Sequence, residues 1–164
     1  MSKAAEAGVN LEFINDQLLP ALRSGEYIQA FGALRTGDMT QKRMCCLGVA
    51  CDVRIPTAWK KKITKNIVTY THILGNSNGL LLENSRWLLG DFPQGILAAT
   101  NDMETDLENE YTSTIKVLEN IENDAFFDEL MRVDTLAHSD KVYGDIQTLL
   151  DRLQNGEFTK EVQS

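Results

Sequence analysis

The run Arg43-Met44-Cys45-Cys46-Leu47-Gly48-Val49-Ala50-Cys51-Asp52 constrains this chain more than any other segment. Two adjacent cysteines, and a third five positions on, sit among small and apolar neighbours. Two readings follow. Either the thiols do chemistry, which requires a base and a lowered pKa, or the segment packs so tightly that only small apolar side chains fit and the thiols are inert core. The sequence holds two histidines, His72 and His138, as bases, and Asp52 as an orienting acid. The Leu47-Gly48-Val49 context favours buried thiols. No Cys-x-x-Cys pair occurs, so no metal site is expected. Three cysteines, two of them adjacent, make a poor disulfide framework, which points to reduced thiols and a cytoplasmic location.

Charge narrows the function classes. The net charge is −8, but residues 1–75 carry 10 Lys+Arg against 6 Asp+Glu, while residues 76–164 carry 6 against 18. An acidic chain repels a long polyphosphate, so no long nucleic acid is expected as a partner. A small phosphate-bearing ligand responds instead to a local basic pocket, and the N-terminal half is where one would form. No apolar run reaches the roughly 20 residues of a membrane span, and no membrane partner is expected. Residues 1–10 lack the apolar core of a signal peptide.

The length fits one domain. Residues 1–9 read as a flexible lead. Asn10 caps a helix whose apolar face is Leu11, Ile14, Leu18 and Leu22, interrupted at Pro20 and ended at Gly25. Residues 27–35 and 42–46 read as extended, with Thr36-Gly37-Asp38 in the turn of a hairpin. Residues 47–53 read as a short buried helix before Pro56. Residues 63–74 are rich in β-branched side chains and predict a strand. Lys60-Lys61-Lys62 and Lys65 read as a solvated face. Asn84 opens a short helix that stops at Gly90. Three further helices are predicted over residues 112–120, 125–132 and 142–154. The result is a single α+β, helix-dominated domain over residues 10–158, with a small β-hairpin or sheet in its N-terminal half. Residues 103–111 form an acidic insertion, 123–158 a helical extension and 159–164 a flexible tail.

A short echo runs through the chain. Leu22-Arg23-Ser24-Gly25 recurs as Leu34-Arg35-Thr36-Gly37 and more weakly as Leu153-Gln154-Asn155-Gly156. Repeated turn chemistry explains it, since glycine ends an element and an apolar residue two positions on folds back.

The candidate ligand set is basic, amide and aromatic. Arg35 lies between Gly32 and Gly37, and glycine permits close backbone approach to a ligand. A guanidinium grips phosphate or carboxylate with two parallel bonds. Arg23 sits at the matching place in the echo, and Lys42 adds a third cation. Gln29 and Asn101 supply amides for a base or ribose, and Tyr27 and Trp87 supply stacking faces. An equally good reading makes Arg35 a buried partner of a carboxylate such as Asp52.

These motifs resemble those of a family of small proteins from phages, prophages and some actinobacteria. The matching residues are Leu22-Arg23-Ser24-Gly25, Tyr27, Gln29, Gly32, Leu34-Arg35, Cys45 to Val49 and Cys51-Asp52. Farther on, Trp87-Leu88-Leu89-Gly90 resembles the family's Trp-Leu-Gly segment, and Asn101-Asp102 its Asn-Asp. Ala30 stands where many relatives have glycine. The resemblance implies a phage source, and by analogy with other small acidic phage proteins it leads us to expect an anti-defence protein in the host cytoplasm. It would bind and sequester a small nucleotide immune signal, a cyclic nucleotide or an ADP-ribose derivative, without catalysis and without a cofactor, and a homo-oligomer is among the expected partners. Two alternatives stay open: an acidic inhibitor of a host enzyme, and a cysteine-dependent hydrolase of the same signal.

Overall fold

The computed structural model describes residues 1–103, 110–135 and 139–159. Its centre is α4 (Cys46–Arg54), in which every residue from Cys46 to Asp52 is buried, with Val53 half-buried and Arg54 exposed beyond them. A helix that is apolar all round belongs in the middle of a domain. Gly48 is what allows it there, because a Cβ at this position would lie 1.9 Å from the Leu34 carbonyl oxygen. The cysteine-rich run is therefore a packing motif.

Around α4 lie two small sheets and a shell of helices, the α+β arrangement that the sequence predicts. The strands β1 (Ile28–Gln29), β2 (Arg35–Thr36) and β3 (Arg43–Met44) form one sheet in the order β1-β3-β2. β2 and β3 pair antiparallel as a hairpin, but Thr36 lies in β2 opposite Arg43 instead of in the turn, and β1, the start of the predicted strand over residues 27–35, adds to β3 in parallel. The second sheet is a hairpin of β4 (Trp59–Thr64) and β5 (Ile67–His72). One strand was expected over residues 63–74. The chain instead reverses at Lys65-Asn66, where both residues have positive φ, 49° and 67°. That is the twist a two-residue hairpin turn needs, here without glycine.

The N-terminal residues, expected to be a flexible lead, form α1 (Lys3–Glu6) with Ala4 fully buried. Val9 bridges to Gly90, and a Cβ on Gly90 would meet the Gly8 carbonyl at 2.0 Å. The next helical path runs through α2 (Leu11–Phe13), a π-helical segment (Ile14–Leu18) and α3 (Leu19–Arg23). Asn10 caps it as predicted, accepting the Phe13 N–H at 3.2 Å. Pro20 lacks the N–H that would bond one turn back, and the chain widens just before it, with Leu19 N–H reaching Ile14.

The remaining helices are α5 (Leu82–Leu89), α6 (Gln94–Asp102), α7 (Thr112–Asn120), α8 (Asp124–Met131) and α9 (Ser139–Gln154). α5 starts at Leu82 rather than at Asn84, whose side chain instead donates to the Leu74 carbonyl at 2.9 Å. α6 packs against α4, α7 and α9 and closes the core. Among the described residues no helix is long and apolar enough to cross a membrane.

Candidate functional site

The structure distributes the sequence-predicted ligand residues over four places. The first is a buried cluster around Asp52. This carboxylate accepts the Tyr27 hydroxyl at 2.7 Å and the Trp59 indole N–H at 3.0 Å, with the Lys42 ammonium at 3.8 Å. Burial, and then the bond to Asp52, push the Tyr27 phenol well above its ordinary range. Arg35 is 5% exposed. Its guanidinium lies 5.3 Å from the Trp59 ring centre and 5.2 Å from that of Tyr70, and it donates to the Met39 and Gln41 carbonyls. Its Nε is buried without a partner among the described residues. Arg35 thus sits inside a wall of rings and main-chain oxygens, buried as one sequence reading had it, with carbonyls where that reading placed a carboxylate.

The second place is a hydrogen-bonded strap. Gln29 donates to the Asn101 carbonyl at 2.8 Å and accepts the Tyr111 N–H at 3.0 Å. The fully buried Asn101 side chain accepts the Cys46 N–H at the start of α4 and donates to the Ala30 carbonyl. Both amides hold backbone to backbone. Asn101 also lines, with Gly32, Cys45 and Asp102, a small cavity of about 210 Å³. Gly32 has φ +74° and open space beside it.

The thiols are not poised for chemistry. Burial raises Cys45 to about 11 and Cys51 to about 12, and raises the fully enclosed Cys46 as well. Cys46 Sγ donates to the Leu97 carbonyl at 3.2 Å. His72 is locked too, with Nε2 at 2.8 Å from the Ile55 carbonyl and Nδ1 accepting the Leu74 N–H at 3.1 Å. The second histidine of the sequence, His138, lies outside the described residues, as does most of the predicted acidic segment. Glu110 at its end accepts the Gln29 N–H at 2.8 Å.

The third place is a groove of about 470 Å³ between α3 and α7, where Arg23 pairs with Glu119 at 3.3 Å beside Lys116 and Glu110. Two cations and two carboxylates leave it without a net preference for an anion.

The fourth place also opens outward. Trp87 on α5 is 50% exposed, large for an indole on a packed body. The Arg54 guanidinium at the end of α4 lies 4.6 Å from its ring centre, a cation–π pair. Together with Asn10, Glu12, Phe13 and Gln17 they line a cavity of about 230 Å³. Asn10 is already engaged as a helix cap and through its amide to the Leu88 carbonyl. Among the described residues, Arg54 and Gln17 carry no side-chain hydrogen bond or ion pair. Trp87 was legible in the sequence as a stacking face. Arg54 was not, because a basic residue in the last turn of a helix reads as a partner for the helix dipole. Gln17 gave no signal, since its place on the cavity depends on how α2 and α5 pack.

Among the described residues, no group of three or more metal-ligating side chains comes together. What the fold defines is a helix-dominated α+β domain with two small sheets. The chain belongs to the family described as Domain of unknown function (DUF8296), which matches residues 11–133. α9 lies beyond the matched residues. No curated protein and no solved structure matches the chain.

Proposed function

We propose that this protein captures a small nucleotide-type ligand without turning it over, and that the Trp87–Arg54 cavity is where it does so. The observation that carries the reading is the half-exposed Trp87 with the Arg54 guanidinium against its ring beside an open cavity. An indole offers a nucleobase a stacking surface of about 1–3 kcal/mol. Arg54 offers phosphate a charge-assisted fork. Gln17 and Glu12 supply an acceptor and donors for a base edge. At about 230 Å³ the cavity is smaller than a usual drug-sized pocket of about 300–1,000 Å³. It suits one base, with the phosphate over the rim at Arg54. In the phage setting that the sequence resembles, the ligand would be a nucleotide immune signal, and capture would be anti-defence. The raised thiols and the locked His72 support binding over a cysteine-dependent hydrolysis.

Calorimetric titration with AMP, ADP-ribose and a cyclic dinucleotide, with Trp87 fluorescence read alongside, tests this. Saturable binding that quenches the indole and vanishes in Trp87→Ala is the expected result. Binding that survives Trp87→Ala unchanged would move the site elsewhere.

A further inference from the structure

The β4–β5 hairpin carries no acidic residue between positions 57 and 75, yet it holds Lys60, Lys61, Lys62 and Lys65 on a chain of net charge −8. Its register sorts them. Trp59 faces His72 and Lys61 faces Tyr70, so these four share the face turned to the body, where Lys61 also acts on Asp38. Lys60 opposite Thr71, Lys62 opposite Thr69, and Thr64 opposite Ile67 share the outer face. Every one of these outer residues is exposed, as are Lys65 and Asn66 at the turn. Among the described residues, none of Lys60, Lys62 and Lys65 has a carboxylate within ion-pair distance.

We infer that this hairpin docks on duplex DNA by its outer face and turn, contacting the phosphate backbone. The charge is complementary and local: six-residue strands reach about 20 Å, while the Debye length is about 8 Å at physiological ionic strength. The acidic half of the chain is therefore screened from much of this surface, and the net charge that argues against nucleic acid does not describe it. The residue types are those that contact phosphate, lysine, threonine and asparagine, on a two-stranded ribbon that a major groove admits. The leading residues are polar. A finger built to enter lipid leads with apolar side chains, whereas this one leads with Lys65 and Asn66, and places Ile63 and Ile67, each 64% exposed, behind them. The hairpin exposes no aromatic ring for stacking on single strands, because Trp59 and Tyr70 are buried. It has no arginine fork for base edges. The contact is thus with duplex backbone and is insensitive to sequence. The narrow major groove of A-form RNA does not admit the ribbon.

Fluorescence anisotropy of the full chain against a labelled mixed-sequence DNA duplex of about two helical turns tests the inference. Binding should be measurable near 50 mM salt, with log K falling against log salt at a slope of about −3, one unit for each of three phosphate contacts. Lys62→Ala should reduce the slope by about one unit. Lys60→Glu with Lys62→Glu and Lys65→Glu should abolish binding, while Lys141→Glu on α9 leaves it intact. Circular dichroism melts of each variant separate lost binding from lost fold. The inference is overturned by absence of duplex binding at low salt, by a slope indifferent to Lys62→Ala, or by stronger association with phosphatidylglycerol vesicles that depends on Ile63 and Ile67.

Discussion

Gly48 lies so close to Leu34 that a side chain on the glycine would have its Cβ 1.9 Å from the Leu34 carbonyl oxygen. That oxygen also accepts the Cys45 N–H at 3.2 Å. The obstacle is backbone on both sides, so no rotamer relieves it. Gly48→Ala should therefore cost about 3 kcal/mol or more, at the upper end of overpacking effects. A chemical-denaturation curve for the variant checks this. An unchanged midpoint would mean that α4 slides without penalty and that the cysteine-rich run is not a packing motif.

Arg35 is expected to act on stability and not on ligand capture. Its guanidinium sits between two rings and two carbonyls, and the Asp52 carboxylate is tied to one of those rings, Trp59. Arg35→Ala should destabilise by about 2–4 kcal/mol, combining a lost cation–π sandwich with lost charged hydrogen bonds. Arg35→Lys should restore only part, since an ammonium lacks the planar guanidinium that lies against both the Trp59 and Tyr70 rings. Asp52→Asn should cost about 2 kcal/mol, because Tyr27 and Trp59 donate to different Asp52 oxygens and the amide turns one of them into a donor. Thermal melts read the stability, and titration of the folded variants reads affinity. A folded Arg35→Ala with weakened nucleotide binding would return Arg35 to the ligand.

The helical part of the fold was largely legible in the sequence. α7 and α9 show one apolar face at helical spacing, and α4 shows an apolar run closed by Pro56. What the sequence hid is what depends on tertiary contact. α1 is held through Ala4 and through the Val9–Gly90 bridge, neither of which has a periodic signature. β4 was masked by its three lysines, and its turn by Lys65, a residue that rarely takes positive φ. The echo glycines were legible: Gly25, Gly37 and Gly156 all have φ near +80°. Tyr27 and Phe158 fold back into the core after them, whereas Met39 stays exposed. Gln29, Arg35 and Asn101 carry the chemistry of a ligand site, and sequence offers no way to see that the Gln29 and Asn101 amides and the Arg35 Nη2 are already used by the backbone.

The thiols make stability fall at high pH. Burial raises Cys45 from 9.0 to about 11 and Cys51 from 9.0 to about 12. Between those values the folded chain keeps protons that the unfolded chain has already released. The stabilisation is complete below pH 9 and is lost as pH rises towards 11 and 12. For Cys45 the loss is about 3 kcal/mol. Buried Tyr27 and Tyr111 act in the same sense at still higher pH. Denaturant melts across the alkaline range should show the decline, and Cys51→Ala should make it shallower. Iodoacetamide at neutral pH should leave all three thiols unmodified until the chain is unfolded. Rapid labelling of Cys45 in the native protein would contradict its burial and reopen a role for it at the small cavity it lines.

Trp87 and Arg54 separate binding from folding in a way that Arg35 does not. The indole is half exposed and the guanidinium is exposed, so truncating either leaves no cavity in the core. Trp87→Ala should cost little stability but remove about 1–3 kcal/mol of stacking, a loss of about 5- to 150-fold in affinity. Trp87→Phe should recover part of it, because a smaller ring still stacks. Arg54→Lys keeps the charge and loses the fork, so it should weaken phosphate-bearing ligands while leaving a bare nucleoside unaffected. Comparing AMP with adenosine on Arg54→Lys isolates that contribution. Equal losses for both would show that Arg54 works by holding the indole in place and not by gripping phosphate.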